Sequence, residues 1–357
     1  MAFRGDRPIL LLLMASIFSS ALAQGAPPAS QSQPNNSSQS QPVDSQSVPD
    51  STTIRVSSSV VLVPTLVEKK DGSVLYGLTQ KDFVVEDNGV PQAIHVDDDL
   101  DSQPVSLVIA VEKGGTSLLQ FQKIAKLGPL LDLFLGDGFG SAALVTFDSQ
   151  PRLVQDFTPR TGTITRQLQG LEPGDGGAAI LDAVRFSVDL LEKQPQERRR
   201  ILLLISESRD HGSKKTQARD LVERIGTSNT LVLSLTYSAS GTEFLNDLKG
   251  GGEVGPTMNL LSPLLMAIAA VHKNVAKQLA VMSGGEYAPF FKEKAFEERI
   301  EEVAKHARNR YILSFRPSDK TPGFHTLKVK LSEDYGARLV ARESYWALED
   351  EVAATSR

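Results

Sequence analysis

The protein has 357 residues, a net charge of −5 at pH 7 and 40% hydrophobic residues, and it contains no cysteine. This length allows two ordinary domains, and the hydrophobic content allows a sizeable core. The small net charge, with both signs spread along the chain, argues against a nucleic-acid-binding or membrane-surface protein. Because cysteine is missing, disulfides, thiol nucleophiles and thiolate metal sites are excluded.

The N-terminus has the order of residues that is typical of a secretory signal peptide. Arg4 and Arg7 precede an apolar run over residues 9–22, and the small-residue sequence ALA at 21–23 ends it. This run is short for a membrane span. We predict cleavage near Ala23 and export to the periplasm or the extracellular space, with no membrane insertion of the mature protein. An uncleaved anchor is the alternative.

Residues 24–53 consist mainly of Gln, Ser, Pro and Asn. We predict a disordered linker, because a segment with so few apolar side chains cannot offset the entropy lost on ordering. A recognised linear motif is the alternative. At the other end of the chain, residues 348–357 are predicted to form a frayed tail.

Two stretches of the chain are predicted to be β-strands without helices. Residues 54–102 form an N-terminal β unit, in which Asp71-Gly72 and Asn88-Gly89 are residue pairs typical of tight hairpin turns. Residues 308–347 contain three further strands. Each set is small for an independent sheet, so we expect the C-terminal strands to complete the N-terminal unit as an antiparallel β-sandwich. Two separate β units are the alternative.

Residues 103–307 alternate apolar strands with amphipathic helices. The predicted strands cover residues 105–111, 141–148, 151–158, 199–206, 230–237 and 286–291, and the predicted helices cover residues 117–135, 179–194, 216–226, 266–285 and 294–310. This alternation predicts an α/β fold with a doubly wound, mostly parallel sheet that is covered on both faces. The hairpin formed by the second and third strands adds one antiparallel edge strand. The α/β domain is therefore inserted in, or flanked by, the β-sandwich.

Seven segments carry a family resemblance. They are GLTQKDFVVEDNGVPQAI (77–94), LVIAVEKGGTS (107–117), SAALVTFDSQPRLVQDFT (141–158), GDGGAAILDAV (174–184), RRILLLISESRDHGS (199–213), LAVMSGGEY (279–287) and RNRYILSFRP (308–317). Taken in this order they resemble a von Willebrand factor A (VWA) domain, and in particular the related domain of exported acidobacterial proteins. The resemblance implies a VWA fold, and a crevice at the carboxyl ends of the central strands that binds a divalent ion and, through it, a partner protein.

In that family the ion is held by a DxSxS motif, a later Thr and a later Asp. Matched residue by residue, these five ligands correspond in this chain to Glu112, Gly114, Thr116, Ala178 and Glu207. Two hydroxyl ligands are missing, and both acids are longer by about 1.5 Å, which is large beside the tolerance of an octahedral Mg²⁺ site. We therefore predict no metal and no cofactor, with neighbouring cations such as Lys113 and Arg209 neutralising the two acids. The alternative is a weak Mg²⁺ or Ca²⁺ site formed by Glu112, Thr116 and Glu207.

Other residues at the same crevice are candidate contacts. Ser117, Asp210 and His211 are candidate rim contacts, and a shifted register would make Asp210 the last metal ligand. Residues 238–263 form a long, glycine-rich insertion, either a partner-contacting loop or a disordered excursion. The acidic residues at 97–101 favour a solvated linker over a Ca²⁺ site, because they lack the ligand spacing of an EF-hand.

The predicted function is a secreted or periplasmic, non-catalytic module that binds a protein partner. Its binding rim would comprise residues 112–117, 174–179, 206–213 and 238–263, and recognition would depend on loop shape and hydrogen bonds. An atypical metal-dependent adhesion protein is the first alternative. The second is an uncharacterised hydrolase, although the chain has no GxSxG, SxxK or HExxH motif.

Overall fold

The computed structural model describes residues 60–97, 103–114, 117, 120–136, 140–237, 262–290 and 293–349. Several predicted segments lie outside the described residues: the signal peptide, the linker, residues 98–101 of the acidic segment, Thr116, nearly all of the glycine-rich insertion and residues 350–357 of the C-terminal tail.

The described residues contain both strands and helices. The strands are β1 (Val61–Glu68), β2 (Phe83–Asp87), β3 (Val90–Pro91), β4 (Ile94–Asp97), β5 (Val105–Glu112), β6 (Ser141–Phe147), β7 (Pro151–Thr158), β8 (Arg199–Ser206), β9 (Thr230–Tyr237), β10 (Tyr287–Phe290), β11 (Tyr311–Phe315), β12 (Gly323–Leu331), β13 (Arg338–Ala341) and β14 (Ser344–Ala347). The α-helices are α1 (Phe121–Ile124), α2 (Leu131–Leu135), α3 (Thr161–Gln169), α4 (Ile180–Glu192), α5 (Ala218–Thr227), α6 (Pro263–Lys273), α7 (Val275–Ser283) and α8 (Glu293–Arg308).

A six-stranded sheet lies at the centre of the α/β part, in the order β10-β9-β8-β5-β6-β7. Its strands are parallel except β7, which runs antiparallel to β6. Every residue of β5, β6 and β9 is buried, as expected for strands with helices on both faces. The predicted α/β fold class, with its mostly parallel sheet and one antiparallel edge strand, is confirmed.

Alternate residues of β5 face opposite cores, because successive side chains of a strand point to opposite faces. Leu107 and Ile109 pack in one core with residues of α1, α2 and α8. Val108 and Ala110 pack in the other with residues of α4, α5 and α7. The sheet is therefore fixed between two helical layers, and its carboxyl edge holds the loops between strands and helices in place.

The helices differ from the predicted ones in three places. The predicted helix 117–135 is interrupted by a 3-10 segment, Ala125–Leu130, that contains Pro129. The predicted helix 266–285 is two helices, because Asn274 is extended and its side chain accepts a hydrogen bond from the Lys277 amide at 2.8 Å, which caps α7. Helix α3 was not predicted, because its buried side chains are only Ile164 and Leu168. Within the described ranges, none of the helices has the length and apolarity needed to cross a membrane.

Two four-stranded antiparallel sheets accompany the α/β domain, in the orders β13-β1-β11-β4 and β14-β12-β2-β3. Strand β1 pairs with β11 and β13, and β2 pairs with β12. Strands that precede the α/β domain in the chain therefore share both sheets with strands that follow it. Val63, Val85, Leu313 and Leu327 come from both sheets and belong to one shared core.

A buried ionic cluster joins the α/β part to the sandwich. Glu286 accepts a hydrogen bond from Nη2 of Arg310 at 2.8 Å and lies 2.9 Å from Nδ1 of His306. The other ring nitrogen of His306 lies 3.3 Å from the Gly72 carbonyl oxygen in the β1 hairpin. Both ring nitrogens face acceptors, so the ring makes both contacts as donor only in its doubly protonated form.

The pKa values of this cluster follow from the same contacts. Burial would lower the pKa of His306, but its hydrogen bond and charge interaction with Glu286 raise it above the usual value. Burial would raise the pKa of Glu286, but the hydrogen bond with His306 and the charge of Arg310 lower it. Each partner therefore stabilises the charged form of the other.

Candidate functional site

The loops that follow β5, β6 and β8 meet at the carboxyl edge of the central sheet. The Gly174 amide donates to the Lys113 carbonyl oxygen at 2.9 Å, and the Ala179 amide donates to the Asp148 carbonyl oxygen at 2.8 Å. The His211 amide donates to the Ala178 carbonyl oxygen at 3.1 Å. These bonds connect residues 112–114, 148–150, 174–179 and 206–213 into one surface, which we call the loop rim.

Glu112 occupies the first position of the family's metal motif and is 0% exposed. Its Oε2 accepts a hydrogen bond from the Glu207 amide at 2.8 Å. Burial, together with the negative charge of Glu207, raises the pKa of Glu112 to about 8, although the amide bond opposes the shift. The carboxyl group is therefore mostly neutral at pH 7.

Two buried hydroxyl groups lie beside the Glu112 carboxyl group. They belong to Ser117 and Tyr237, and the Tyr237 hydroxyl interacts with both Glu112 and Ser117. Burial and the charge of Glu112 raise the pKa of Tyr237, so the phenol stays protonated. The centre of the predicted crevice is thus a small, uncharged polar cluster at pH 7.

Gly114 stands where the family has its first serine, and no side chain fits there. A Cβ atom at this position would lie 1.8 Å from the carbonyl oxygen of Gly177. Gly177 in turn packs closely against Ser149, because a Cβ atom added at Gly177 would lie 2.2 Å from the Ser149 hydroxyl. The backbone of the 174–179 loop therefore fills the space that a hydroxyl ligand from position 114 would need.

The aspartates of the loop rim hold the loops together. Oδ1 of Asp210 accepts hydrogen bonds from the Leu181 amide at 3.0 Å and from the Ser213 hydroxyl at 2.5 Å. Oδ1 of Asp175 accepts from the amides of Ser149 and Gly177, both at 2.9 Å. These bonds, which also lower the pKa of Asp175, position the loops for any surface that the rim presents.

Several predicted site residues lie below the surface. Ser117 was predicted as a rim contact, but it is buried, as are Gly114 and Ala178, because the sheet edge is covered by the 174–179 loop. Burial leaves these three positions little surface that a partner could reach. Thr116 lies outside the described residues.

Other predicted residues remain accessible on the rim. His211 is 47% exposed at its side chain, and its Nε2 lies 3.6 Å from a carboxylate oxygen of Glu207. Arg209 is exposed, as is Lys214 beyond the rim. Lys113 was expected to neutralise the glutamates, but its Nζ lies 3.8 Å from Asp148 instead. Burial, which favours the protonated form, is what neutralises Glu112.

The described residues do not fit an octahedral Mg²⁺ site. Glu112 offers a neutral carboxyl group whose Oε2 is already bonded to an amide, and positions 114 and 178 offer no side-chain oxygen. A small hard cation requires several converging oxygen ligands with charge.

Tyr237, at the carboxyl end of β9, was not predicted from the sequence. Because β9 ends at the same edge of the sheet as β5, its last residue could have been predicted to lie near Glu112.

Within the described part of the chain, one group of side chains has the geometry of a metal site elsewhere. Ligand atoms of Glu68, Glu286 and His306 lie within 4.8 Å of one another. Arg310 already pairs with Glu286, and Arg338 pairs with Glu68. The acids are therefore neutralised by protein cations, and the group is an ion-pair network.

Replacing Glu112 with glutamine should flatten the pH dependence of stability. In the folded protein Glu112 keeps its proton up to a pKa of about 8, against 4.5 for an ordinary glutamate. Between these values the folded state binds more protons than the unfolded state, so the free energy of unfolding falls as the pH rises. Glutamine keeps the acceptor for the Glu207 amide and removes this fall.

The measurement is urea unfolding at pH 5 and pH 8. The matched control is Glu172→Gln, because Glu172 is exposed. This change should leave the difference in unfolding free energy between pH 5 and pH 8 as it is in the unchanged protein. An equal fall in stability with and without Glu112→Gln would contradict the buried, protonated carboxyl.

Comparison with known proteins agrees with the α/β fold of the central sheet and its helices. The family model for the von Willebrand factor type A domain matches residues 122–209. This part of the chain is similar to a VWA domain. That match begins after Glu112 and covers about a quarter of the chain, so it includes Ala178 and Glu207 but not positions 112–116. No curated protein matches the chain.

Solved structures with a similar fold are distant. A von Willebrand factor type A structure from Catenulispora acidiphila has 10% identity and a TM-score of 0.41, and covers 84% of this chain and 76% of that one. BatB from Bacteroides thetaiotaomicron has 16% identity and a TM-score of 0.39, with 57% and 100% covered. The vWF domain of the type V pili tip protein Mfa5 from Porphyromonas gingivalis has 10% identity and a TM-score of 0.38, with 56% and 95% covered. At these values the three structures say nothing about this protein's activity or partners.

Proposed function

We propose that the protein is an exported, non-catalytic module that binds a partner protein through the loop rim without a bridging metal ion. The observation that carries the proposal is the packing at Gly114. The Gly177 carbonyl oxygen lies 1.8 Å from the place of a Cβ atom there, so polypeptide backbone takes the space of a metal ligand. The signal-like N-terminus is the basis for proposing export.

The electrostatics of the rim support contact through polypeptide. An ion-dependent site needs charged carboxylates to hold the cation, and the Glu112 carboxyl is neutral at pH 7 because of its burial. The exposed groups near it are of mixed sign and include Asp175, Arg209, His211 and Lys214. Such groups, held by fixed backbone hydrogen bonds, offer a preorganised surface for hydrogen bonds and ion pairs with a protein.

The non-catalytic part of the proposal is supported by the geometry around the one histidine of the rim. His211 faces Glu207 at 3.6 Å. A nucleophilic mechanism would also need a hydroxyl within about 3 Å of the histidine, and no such contact to His211 occurs in the described residues. An accessible hydrolytic centre therefore finds no support in the part of the rim that the structure describes.

Reversing two positive charges, one on the rim and one next to it, should abolish partner binding. The variant changes Arg209 and Lys214 to glutamate, and the control changes Lys70 and Lys81, which are exposed on the sandwich, in the same way. Each purified protein is used to capture partners from an envelope fraction. We expect one partner to be captured by the unchanged protein and by the control but not by the rim variant, because reversed charges face its surface.

Metal dependence separates this proposal from the adhesion alternative. Capture should be equal in EDTA and in millimolar Mg²⁺, and the thermal midpoint should not move with Mg²⁺, Ca²⁺ or Mn²⁺. A ligand that binds only the folded state raises the midpoint. A rise that disappears on changing Glu112 or Glu207 to alanine, together with loss of capture in EDTA, would establish the metal-dependent alternative instead.

A further inference from the structure

A cavity of about 390 Å³ lies between the sandwich and the amino-terminal edge of the central sheet. This is the opposite end of the strands from the loop rim. Small-molecule sites in proteins range over roughly 300–1,000 Å³, so the volume is sufficient for a small ligand. The cavity is lined by Arg198, Arg199, Arg200, Arg310 and Arg342, and Asp97 is the acidic residue that lines it in the described part of the chain.

Arg342 places a buried positive charge at this cavity. It is 4% exposed, and its donors reach backbone carbonyl oxygens, with Gly226 at 2.6 Å, Ser344 at 2.8 Å and Leu62 at 3.1 Å. Its side chain forms no ion pair with a carboxylate among the described residues. Burial lowers the pKa of Arg342 to about 10, which still leaves the guanidinium charged at pH 7.

Arg200 adds a second cation at this cavity, and its side chain is partly buried. Its Nη2 donates to the carbonyl oxygen of Gln194 at 3.1 Å and, less closely, to that of Glu192 at 3.4 Å. Among the described residues it has no carboxylate partner, and its Nε is buried without a hydrogen bond. A buried charge that lacks a partner is costly for a folded protein.

Two further buried donors at the same cavity make no hydrogen bond within the described ranges. They are Nε of Arg310, which is 1% exposed, and Oγ1 of Thr230, which is 2% exposed. Buried polar atoms in native proteins are nearly all paired. Arg200, Arg310 and Thr230 carry three unpaired donors, lie in different parts of the chain and all line this cavity, which points to a ligand with oxygen acceptors.

We propose that this cavity binds a small molecule that carries at least two anionic oxygen groups, phosphate or carboxylate. The anionic groups would compensate Arg200 and Arg342 and accept hydrogen bonds from the unpaired donors, since guanidinium groups match the geometry of both kinds of oxyanion. Arg200 belongs to the central sheet, and Arg342 follows β13 of the sandwich. The ligand therefore joins the α/β domain to the sandwich, independently of partner binding at the loop rim.

The test uses the whole chain with pyrophosphate and citrate as probes, one for each kind of oxyanion. Binding is measured by calorimetry and by the thermal midpoint, against sodium chloride of the same ionic strength. We expect at least one probe to bind, and Arg200→Gln to weaken its binding at least about tenfold, because a hydrogen bond to a charged group is lost. Arg185→Gln, on an exposed face of α4, should change the affinity less than about twofold.

A second variant keeps the test decisive if Arg200→Gln does not fold. Thr230→Val has nearly the same shape and removes only the unpaired hydroxyl, so it should fold and should bind the same probe more weakly. The proposal is overturned if neither probe binds at millimolar concentration, or if binding survives both variants unchanged. It is also overturned if binding appears only after Asp98, Asp99 and Asp101 are changed to asparagine, because the chain's own acidic segment would then be the occupant.

Discussion

Replacing Glu286 with glutamine is expected to lower the free energy of unfolding by roughly 3–5 kcal/mol, the usual cost of removing one partner of a buried ion pair. The change leaves Arg310, which is buried, with neutral acceptors only, the glutamine amide oxygen and the Gly284 carbonyl oxygen at 2.6 Å, and removes its negative partner. It also removes the charge that raises the pKa of His306. Urea unfolding at constant pH measures the loss.

The pKa of His306 determines how this stabilisation changes with pH. The pKa of His306 is raised in the folded protein, so its stabilising contribution is fully present below the ordinary value of 6.5 and is lost as the pH rises through the folded value. Glu286→Gln should flatten this loss, as should His306→Gln. Glu302→Gln is the control, because its pair with Arg299 is at the surface and should cost less than about 1 kcal/mol. A loss no larger than that of the control would show that the cluster does not hold the two parts together.

Restoring the family's serine at position 114 is expected to destabilise the protein and not to create a metal site. A Cβ atom there would lie 1.8 Å from the Gly177 carbonyl oxygen, so the 174–179 loop would have to move. Overpacking of a well-packed region costs about 1–3 kcal/mol, and we expect the upper end or more because the obstacle is backbone. The measurements are urea unfolding and the thermal midpoint with and without Mg²⁺.

Gly176→Ser is the matched control for this change. It lies in the same loop, and a Cβ atom at Gly176 meets no atom within 4 Å. Its effect should stay within about 0.5 kcal/mol, as for most surface substitutions. If Gly114→Ser were as stable as the control and gained a Mg²⁺-dependent rise in the midpoint, the closed crevice would be refuted.

The structure shows what occupies the place of the family's first serine ligand. A missing hydroxyl at position 114 could leave an open crevice, but here the backbone around Gly177 fills the space and the neighbouring carboxyl is neutral at pH 7. Among the described residues, positions 114 and 178 supply no side-chain oxygen for a hard cation. The loops of the rim are fixed by backbone and carboxylate hydrogen bonds. The proposal of a metal-independent protein-binding surface rests on these two observations.

The two proposed sites lie at opposite ends of the central strands. The loop rim is at the carboxyl ends of β5 and β8, and the arginine-lined cavity is at the amino ends of β8 and β9. Variants at Arg209 and at Arg200 therefore probe separate surfaces. Loss of partner capture in one and loss of anion binding in the other can be observed independently.

The strands of the α/β domain could be predicted almost residue by residue. The segments 199–206 and 230–237 contain the apolar runs 201–205 and 231–233, and burial on both faces leaves little freedom for such a run. The hairpin turn at Asn88-Gly89 could be predicted equally well, and both residues have positive φ angles, 48° and 84°. Helix α3 was not predicted, because it has few apolar positions. The break at Asn274 was not predicted, because it depends on a single capping side chain.

The sequence by itself determined that positions 114 and 178 carry no side-chain oxygen, since a side chain's atoms are a property of the residue. It could not determine that Ser117 is buried, that Lys113 faces Asp148 or that Glu112 is neutral. Those depend on which groups from distant parts of the chain come within a few ångströms. The same is true of the arginine-lined cavity, where residues 142 positions apart, Arg200 and Arg342, meet only because the sandwich packs against the sheet. Local periodicity fixes strands and helices, whereas protonation and pairing depend on tertiary packing.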